Sequence, residues 1–94
     1  MNIKGLNFKL TCPSCPEQYD VFDSDGKIVG YIRLRYGSLY CEYPDVGGEE
    51  IYYAEVGDGW CGNFESETQR KMHLSNIACR ILEQIKDASI ADAD

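Results

Sequence analysis

Short segments in which apolar and polar residues alternate fill the first half of the chain. A period of two is typical of β-strands that bury one face. The alternation predicts strands over residues 6–10, 19–22, 27–36, 39–43 and 51–56. Clusters of Gly, Pro, Asp and Ser separate these segments and favour turns, among them a hairpin turn over residues 23–26 and a two-residue turn at Gly37 and Ser38. Because such connections are short, consecutive strands are expected to pair antiparallel.

One amphipathic segment follows the strands. Ser66 with Gln69 three residues later forms a capping box, which marks the start of a helix. Apolar residues then recur at spacings of three and four and form one stripe, made of Leu74, Ile77, Ala78, Ile81, Leu82 and Ile85. This pattern predicts a helix over residues 66–86 that packs on one face of the sheet. The small acidic residues 88–94 are expected to form a frayed tail.

These elements predict an α+β fold, an antiparallel β-meander of four or five strands with one C-terminal α-helix on one face. The length of 94 residues fits a single domain. An N-terminal strand and a Cys-Pro turn occupy residues 1–18, and the meander itself occupies residues 19–56. No repeat and no linker divides the chain.

The predicted strands can be paired through the turn at Gly37 and Ser38. That turn would place Leu34 opposite Cys41 and Arg33 opposite Glu42. One face of the sheet then has the apolar residues Ile32, Leu34, Cys41 and Tyr43, and it is expected to receive the helix. The other face has Tyr31, Arg33, Arg35, Tyr40 and Glu42, with Phe22 and Val29 added if the hairpin turn keeps the same alternation.

This second face is the candidate interaction surface. Tyr and Arg are enriched at the centres of protein interfaces, because both bury a large area and keep a polar group. The residues assigned to the interface are Phe22, Val29, Tyr31, Arg33, Arg35 and Tyr40, with Trp60 as a separate exposed anchor. A two-fold homodimer is the simplest form. In the alternative interpretation the face is only solvated, with Arg33 paired to Glu42 and Arg35 stacked on Tyr40.

The cysteines suggest a metal site. Five cysteines are present, and Cys12 and Cys15 stand in the order Cys-Pro-Ser-Cys, which is half of a zinc knuckle. Cys61, in a glycine-rich loop, is the favoured distant ligand, with Cys41, His73 and Cys79 as other candidates. The alternative hypothesis is therefore a zinc-stabilised module anchored by Cys12 and Cys15. Ordinary reduced thiols remain the simpler interpretation.

Catalysis is the least favoured interpretation. A Cys-Pro-x-Cys redox pair needs a helix after the first cysteine to lower its pKa, and the residues after Pro16 have a strand pattern instead. A small enzyme with a site at Trp60, Cys61 and His73 remains a hypothesis. No base with an orienting partner can be identified for it. A non-enzymatic protein is therefore expected.

The charge balance limits the partners. Nine Lys and Arg residues oppose sixteen Asp and Glu residues, which gives a net charge of −7. Nucleic acids and anionic membranes are bound by basic residues, so both are disfavoured as partners and a protein is favoured. No apolar run approaches the ~20 residues that span a bilayer, and no signal peptide is evident. A cytoplasmic location is expected.

Three segments resemble a group of known sequences. They are residues 19–37, which contain Tyr-Asp-Val-Phe-Asp-Ser-Asp-Gly, residues 41–49, and the Gly-Asp-Gly-Trp motif over residues 57–60. Together they resemble a group of short uncharacterised proteins from low-GC Gram-positive bacteria and their phages or mobile elements. The resemblance extends from Tyr19 to Ile85. It implies a single-domain α+β protein of bacterial or phage source, and it implies no activity.

Overall fold

Six antiparallel strands form one open sheet, and a long helix packs across it. The computed structural model describes residues 1–12, 17–56 and 66–92, and for residues 12 and 89–92 the backbone alone. The elements are β1 (Asn2–Ile3), β2 (Leu6–Cys12), β3 (Glu17–Phe22), β4 (Ile28–Arg35), β5 (Ser38–Tyr43), β6 (Glu49–Glu55) and α1 (Glu67–Asp92). The strands lie in the order β1 to β6, so each strand pairs with its neighbours in sequence. The α+β class is confirmed, and the expected four or five strands are six.

The additional strand is β1, which has only two residues. Ile3 pairs with Leu6 across a two-residue turn whose members, Lys4 and Gly5, have φ angles of 53° and 87°. Positive φ at both central residues is the signature of the type I′ turn that joins twisted antiparallel strands. So short a strand has no alternation to detect, and it was therefore absent from the sequence prediction.

The turn between β4 and β5 lies one residue earlier than predicted. Tyr36 and Gly37 occupy its centre with φ angles of 51° and 76°, and Arg35 pairs with Ser38. Arg33 consequently lies opposite Tyr40, so its predicted pairing with Glu42 is wrong. Because the partners shift by two residues, the side chains of residues 31–35 and 39–43 keep their predicted faces. The division into a core face and an open face is confirmed, with other cross-strand partners.

A β-bulge in β4 moves Val29 to the core. Val21 pairs with Gly30 and Phe22 pairs with Ile28, which leaves Val29 as the extra residue. At such a bulge Val29 and its neighbour Gly30 face the same side of the sheet, and Val29 is only 4% exposed. The prediction that Val29 lies on the open face is therefore wrong. Phe22, which follows the buried Val21, is half-buried and keeps its predicted side.

The core lies between the sheet and α1. Four residues of the predicted helix stripe are fully buried, namely Leu74, Ile77, Ala78 and Ile81. They pack with side chains of β2 to β5, which include Phe8, Val21, Ile32, Leu34, Leu39 and Cys41. Leu82, predicted in the stripe, is 37% exposed, because its position on the helix turns away from the sheet.

Both ends of the helix can be compared with the prediction. The backbone N–H of Gln69 donates to Ser66 Oγ at 3.1 Å, so the predicted N-cap is confirmed. The helix continues to Asp92, and the residues 88–92 that were predicted as tail are helical. No helix in the described part of the chain is long and apolar enough to span a lipid bilayer.

Candidate functional site

The open face, defined as the side of the sheet opposite α1, presents two rows of side chains across the strands. The first row runs Lys9, Asp20, Tyr31, Glu42 and Glu50. The second row runs Gln18, Arg33, Tyr40 and Tyr53. Neighbouring strands lie about 4.8 Å apart, so the members of each row are near neighbours. The face is therefore a mixed aromatic and charged surface.

Four adjacent residues form the centre of this face, and we call them the Tyr/Arg patch: Tyr31, Arg33, Tyr40 and Tyr53. The first three are half-buried by their neighbours, and Tyr53 is 54% exposed. The sequence pattern identified Tyr31, Arg33 and Tyr40 but missed Tyr53. The position of Tyr53 depends on a register shift between β5 and β6, which local alternation does not reveal.

Arg33 has an unusual environment within the patch. Its Nε atom is buried and has no hydrogen-bond partner among the described residues. The ion pairs of these residues do not include Arg33. Glu42, the partner expected in the solvated interpretation, instead lies opposite Tyr31 and accepts a bond from the Gly47 N–H at 3.4 Å. A buried donor without an acceptor costs about 1–3 kcal/mol, so the folded chain carries this cost at Arg33.

Arg35 lies at the end of β4, beside the patch. Its guanidinium carbon is 5.0 Å from the ring centre of Tyr36, a cation–π geometry, so it does not stack on Tyr40 as the solvated interpretation required. Tyr31 remains a hydrogen-bond donor, because burial raises the pKa of its hydroxyl while the nearby Arg33 charge lowers it less. The patch therefore offers one cationic donor, Arg33, beside tyrosine hydroxyls that can donate or accept.

A buried charged cluster lies on the opposite side of the sheet. The Glu17 carboxylate is 2% exposed and accepts two bonds from the Arg70 guanidinium, both at 3.0 Å. The Tyr19 hydroxyl donates to the same carboxylate at 2.5 Å, and Arg70 also pairs with Glu67. Burial, followed by the Glu17 contact, raises the pKa of Tyr19 well above its usual range. The cluster joins the start of β3 to the first turns of α1.

The function of this cluster is structural. Every oxygen of the Glu17 carboxylate has a donor, and the hydrogen bond with Glu17 is the main cause that raises the pKa of Arg70. Both carboxylate oxygens are thus engaged in bonds that hold β3 and α1 together. Sequence analysis missed the cluster, although Glu17, Tyr19 and Val21 share one face by their spacing. That spacing was the available signal.

His73 was expected at the edge of the helix stripe and is in fact 8% exposed. Its Nδ1 lies 2.8 Å from the Tyr52 hydroxyl on β6, and the two rings meet edge to face. Burial lowers the pKa of His73, so the neutral imidazole is favoured. The histidine therefore fastens the helix to the edge of the sheet.

The free energy of unfolding is expected to depend on pH through His73. A histidine whose pKa is lowered on folding binds a proton more readily when unfolded, so its stabilising effect is present above a pH of about 6.5 and decreases as the pH falls below it. Urea titrations between pH 7.5 and pH 5.5 should show this decrease. In the variant His73→Gln the free energy of unfolding should change less with pH over that interval. An identical slope in both proteins would contradict the assignment.

The remaining predicted site residues divide into two groups. Cys41 lies in the core, where burial raises the pKa of its thiol to about 12, and Cys79 is exposed on α1. The side chain of Cys12, with Cys15, Trp60 and Cys61, lies outside the described residues. Within the described part of the chain, no cluster of three or more His, Cys, Asp or Glu residues is arranged to hold a metal. The zinc hypothesis and the Cys61 enzyme hypothesis both stay predictions.

Comparisons with known proteins assign this chain to no family. A scan against protein-family models, a search of curated proteins and a search of solved structures each give no match. The resemblance noted for residues 19–37, 41–49 and 57–60 stays a prediction.

Proposed function

We propose that this chain is a small non-enzymatic protein-interaction module that binds its partner through the open face. The Tyr/Arg patch is the centre of the proposed contact, with Phe22 and Arg35 at its margins. Tyrosine and arginine contribute much of the binding free energy at protein interfaces, because each of these side chains buries a large surface area.

The observation that supports this proposal most is the position of Arg33, a half-buried arginine at the centre of the open face that takes part in none of the ion pairs among the described residues. Arg33 lies opposite Tyr40 and two residues from Tyr31, and its guanidinium can donate to a carboxylate or carbonyl oxygen of another molecule. A partner carboxylate would supply the ion pair that Arg33 does not form among the described residues. Binding would also cover the aromatic rings around Arg33.

A second copy of the chain is the simplest partner. The open face has basic residues on β4, Arg33 and Arg35, and acidic residues on β5 and β6, Glu42 and Glu50. A surface with both charges in separate rows can be complementary to itself under a two-fold rotation. The proposed form is therefore a homodimer in which each face supplies acceptors to the arginines of the other.

The test is the oligomeric state. Sedimentation velocity across micromolar concentrations should show a dimer for the wild-type protein. The double variant Phe22→Glu and Tyr31→Glu should weaken the dimer by at least about 30-fold, since a hot-spot residue contributes about 2 kcal/mol or more. The new carboxylates would require burial without partners.

The control adds the same charge elsewhere. Met72 and Ala88 are exposed on α1, and the double variant Met72→Glu and Ala88→Glu should dimerise like the wild type. A wild-type protein that stays monomeric over the whole concentration range would contradict the homodimer. Equal weakening by both double variants would indicate a general charge effect and would also count against it.

A further inference from the structure

The outer edge of β6 has backbone groups that pair with no other strand of the described residues. β6 is the last strand of the sheet, and no strand of the described residues pairs with its outer side. The Val56 N–H donates to the Gly37 carbonyl at 2.6 Å, which identifies this pair as hydrogen-bonded. Bonded and non-bonded pairs alternate along an antiparallel ladder. The N–H and C=O groups of Tyr53 and Glu55 therefore point away from β5.

A groove follows this edge on the helix side of the sheet. It has a volume of about 420 Å³ and is lined by Tyr52, Asn76, Cys79, Arg80 and Glu83. Tyr52 belongs to β6, and the other residues lie along α1 at spacings that place them on adjoining turns. The helix thus forms one wall beside the strand edge. A further strand added to β6 would lie against this wall.

The charges beside the edge favour a basic occupant. Glu49, Glu50 and Glu55 are exposed on β6, and Glu83 lies in the groove. Arg80 is the basic residue of the groove, and it lies 3.8 Å from the Glu83 carboxylate. A second copy pairing through β6 would bring two sets of these glutamates together, which is a known protection against edge association. A basic extended chain would meet complementary charge instead.

We propose that β6 is a second binding site, which accepts an extended basic segment of another protein as a seventh, antiparallel strand. Main-chain bonds to Tyr53 and Glu55 hold the segment, alternate side chains enter the groove, and its Lys or Arg residues face the glutamates of β6. The site uses different atoms from the Tyr/Arg patch, so it does not depend on the function proposed for that patch.

The probe is a capped seven-residue peptide of alternating Lys and Val, labelled for fluorescence anisotropy. The wild-type protein should bind it, and a peptide with Glu in place of Lys should not bind. Two methylated forms of the Lys-Val peptide are compared, one with N-methyl groups on the odd-numbered residues and one with N-methyl groups on the even-numbered residues. In one of these forms the methyl groups replace the N–H groups that donate to β6, and that form should bind at least 10-fold more weakly than the parent peptide. Equal binding of the two methylated peptides and the parent would overturn the proposal.

A matched pair of protein variants tests the same bonds. Tyr53→Pro removes the N–H that points away from β5 and leaves the bonds between β5 and β6 intact. Edge strands tolerate proline at such a position. Tyr53→Ala removes the same side chain and keeps the N–H. Tyr53→Pro should bind the peptide at least 10-fold more weakly than Tyr53→Ala. Equal affinity of these two variants would also overturn the proposal.

Discussion

Replacing Arg70 with methionine is expected to lower the free energy of unfolding by about 3–5 kcal/mol, the cost of breaking a buried ion pair from one side. The Glu17 carboxylate is 2% exposed and would lose both of its guanidinium bonds. Tyr19 would remain as a donor, but it carries no charge to balance the carboxylate. The carboxylate would then be left buried without a compensating positive charge.

Replacing Glu17 with glutamine should lower the free energy of unfolding by less than Arg70→Met does. The Arg70 side chain is 24% exposed and also pairs with Glu67, so in Glu17→Gln the guanidinium keeps a partner and reaches solvent. The double variant Arg70→Met and Glu17→Leu should recover much of the loss, because an apolar pair of similar volume replaces a buried ion pair at small cost. This order of stabilities depends on the different burial of the two partners.

Urea denaturation of the four proteins gives the measurement. The variant Arg80→Met serves as the control, since Arg80 and Glu83 are both more than half exposed and an exposed pair contributes at most about 1 kcal/mol. A loss below about 1 kcal/mol in Arg70→Met would show that the Glu17 carboxylate does not depend on this arginine. A double variant less stable than Arg70→Met would contradict the argument from burial.

Replacing Gly30 with alanine is expected to lower the free energy of unfolding by about 1–3 kcal/mol, the usual cost of overpacking a core. A Cβ atom at Gly30 would lie 2.8 Å from Cδ1 of Ile81 and 3.4 Å from Cβ of Val21. Ile81 is fully buried and therefore has little room to move. The glycine lets the helix approach the centre of the sheet.

The companion variant is Ile81→Val, which removes the Cδ1 atom in question. Alone it should cost about 0.5–1.5 kcal/mol. In combination with Gly30→Ala it should cost less than the sum of the two single changes, because the new methyl group occupies the space that Cδ1 leaves. Thermal or urea unfolding of the four proteins measures this coupling. Strictly additive losses would show that Gly30 and Ile81 do not limit the approach of the helix.

The sequence predicted the faces of the sheet better than its pairings. Alternation with a period of two assigns Ile32 and Leu34 to one side and Tyr31 and Arg33 to the other, whichever partner lies opposite. The partner depends on the turn, and a turn at Tyr36 and Gly37 needs a tyrosine with positive φ, which residue preferences disfavour. Val29 was misplaced because a bulge interrupts the alternation and leaves no local signal.

The candidate site was predictable to a similar extent. Tyr31, Arg33 and Tyr40 follow from alternation within β4 and β5, whereas Tyr53 depends on the bulged register of β6. The bonds of Arg70 with Glu17 join residues 53 positions apart, and no local pattern links them. The missing acceptor at Arg33 could not be predicted either, since it follows from the position of Glu42 in the sheet.

The order of the strands has a consequence for how fast the chain folds. Every strand pairs with its neighbour in sequence, so the sheet can assemble hairpin by hairpin with short loops to close. Chains with such a low contact order fold faster than β-proteins whose strands pair across long separations. The contact between the helix and β3 instead joins residues that are far apart in sequence, since the bond between Arg70 and Glu17 spans 53 positions. We therefore expect the hairpins to form early and the docking of the helix to complete the folded state.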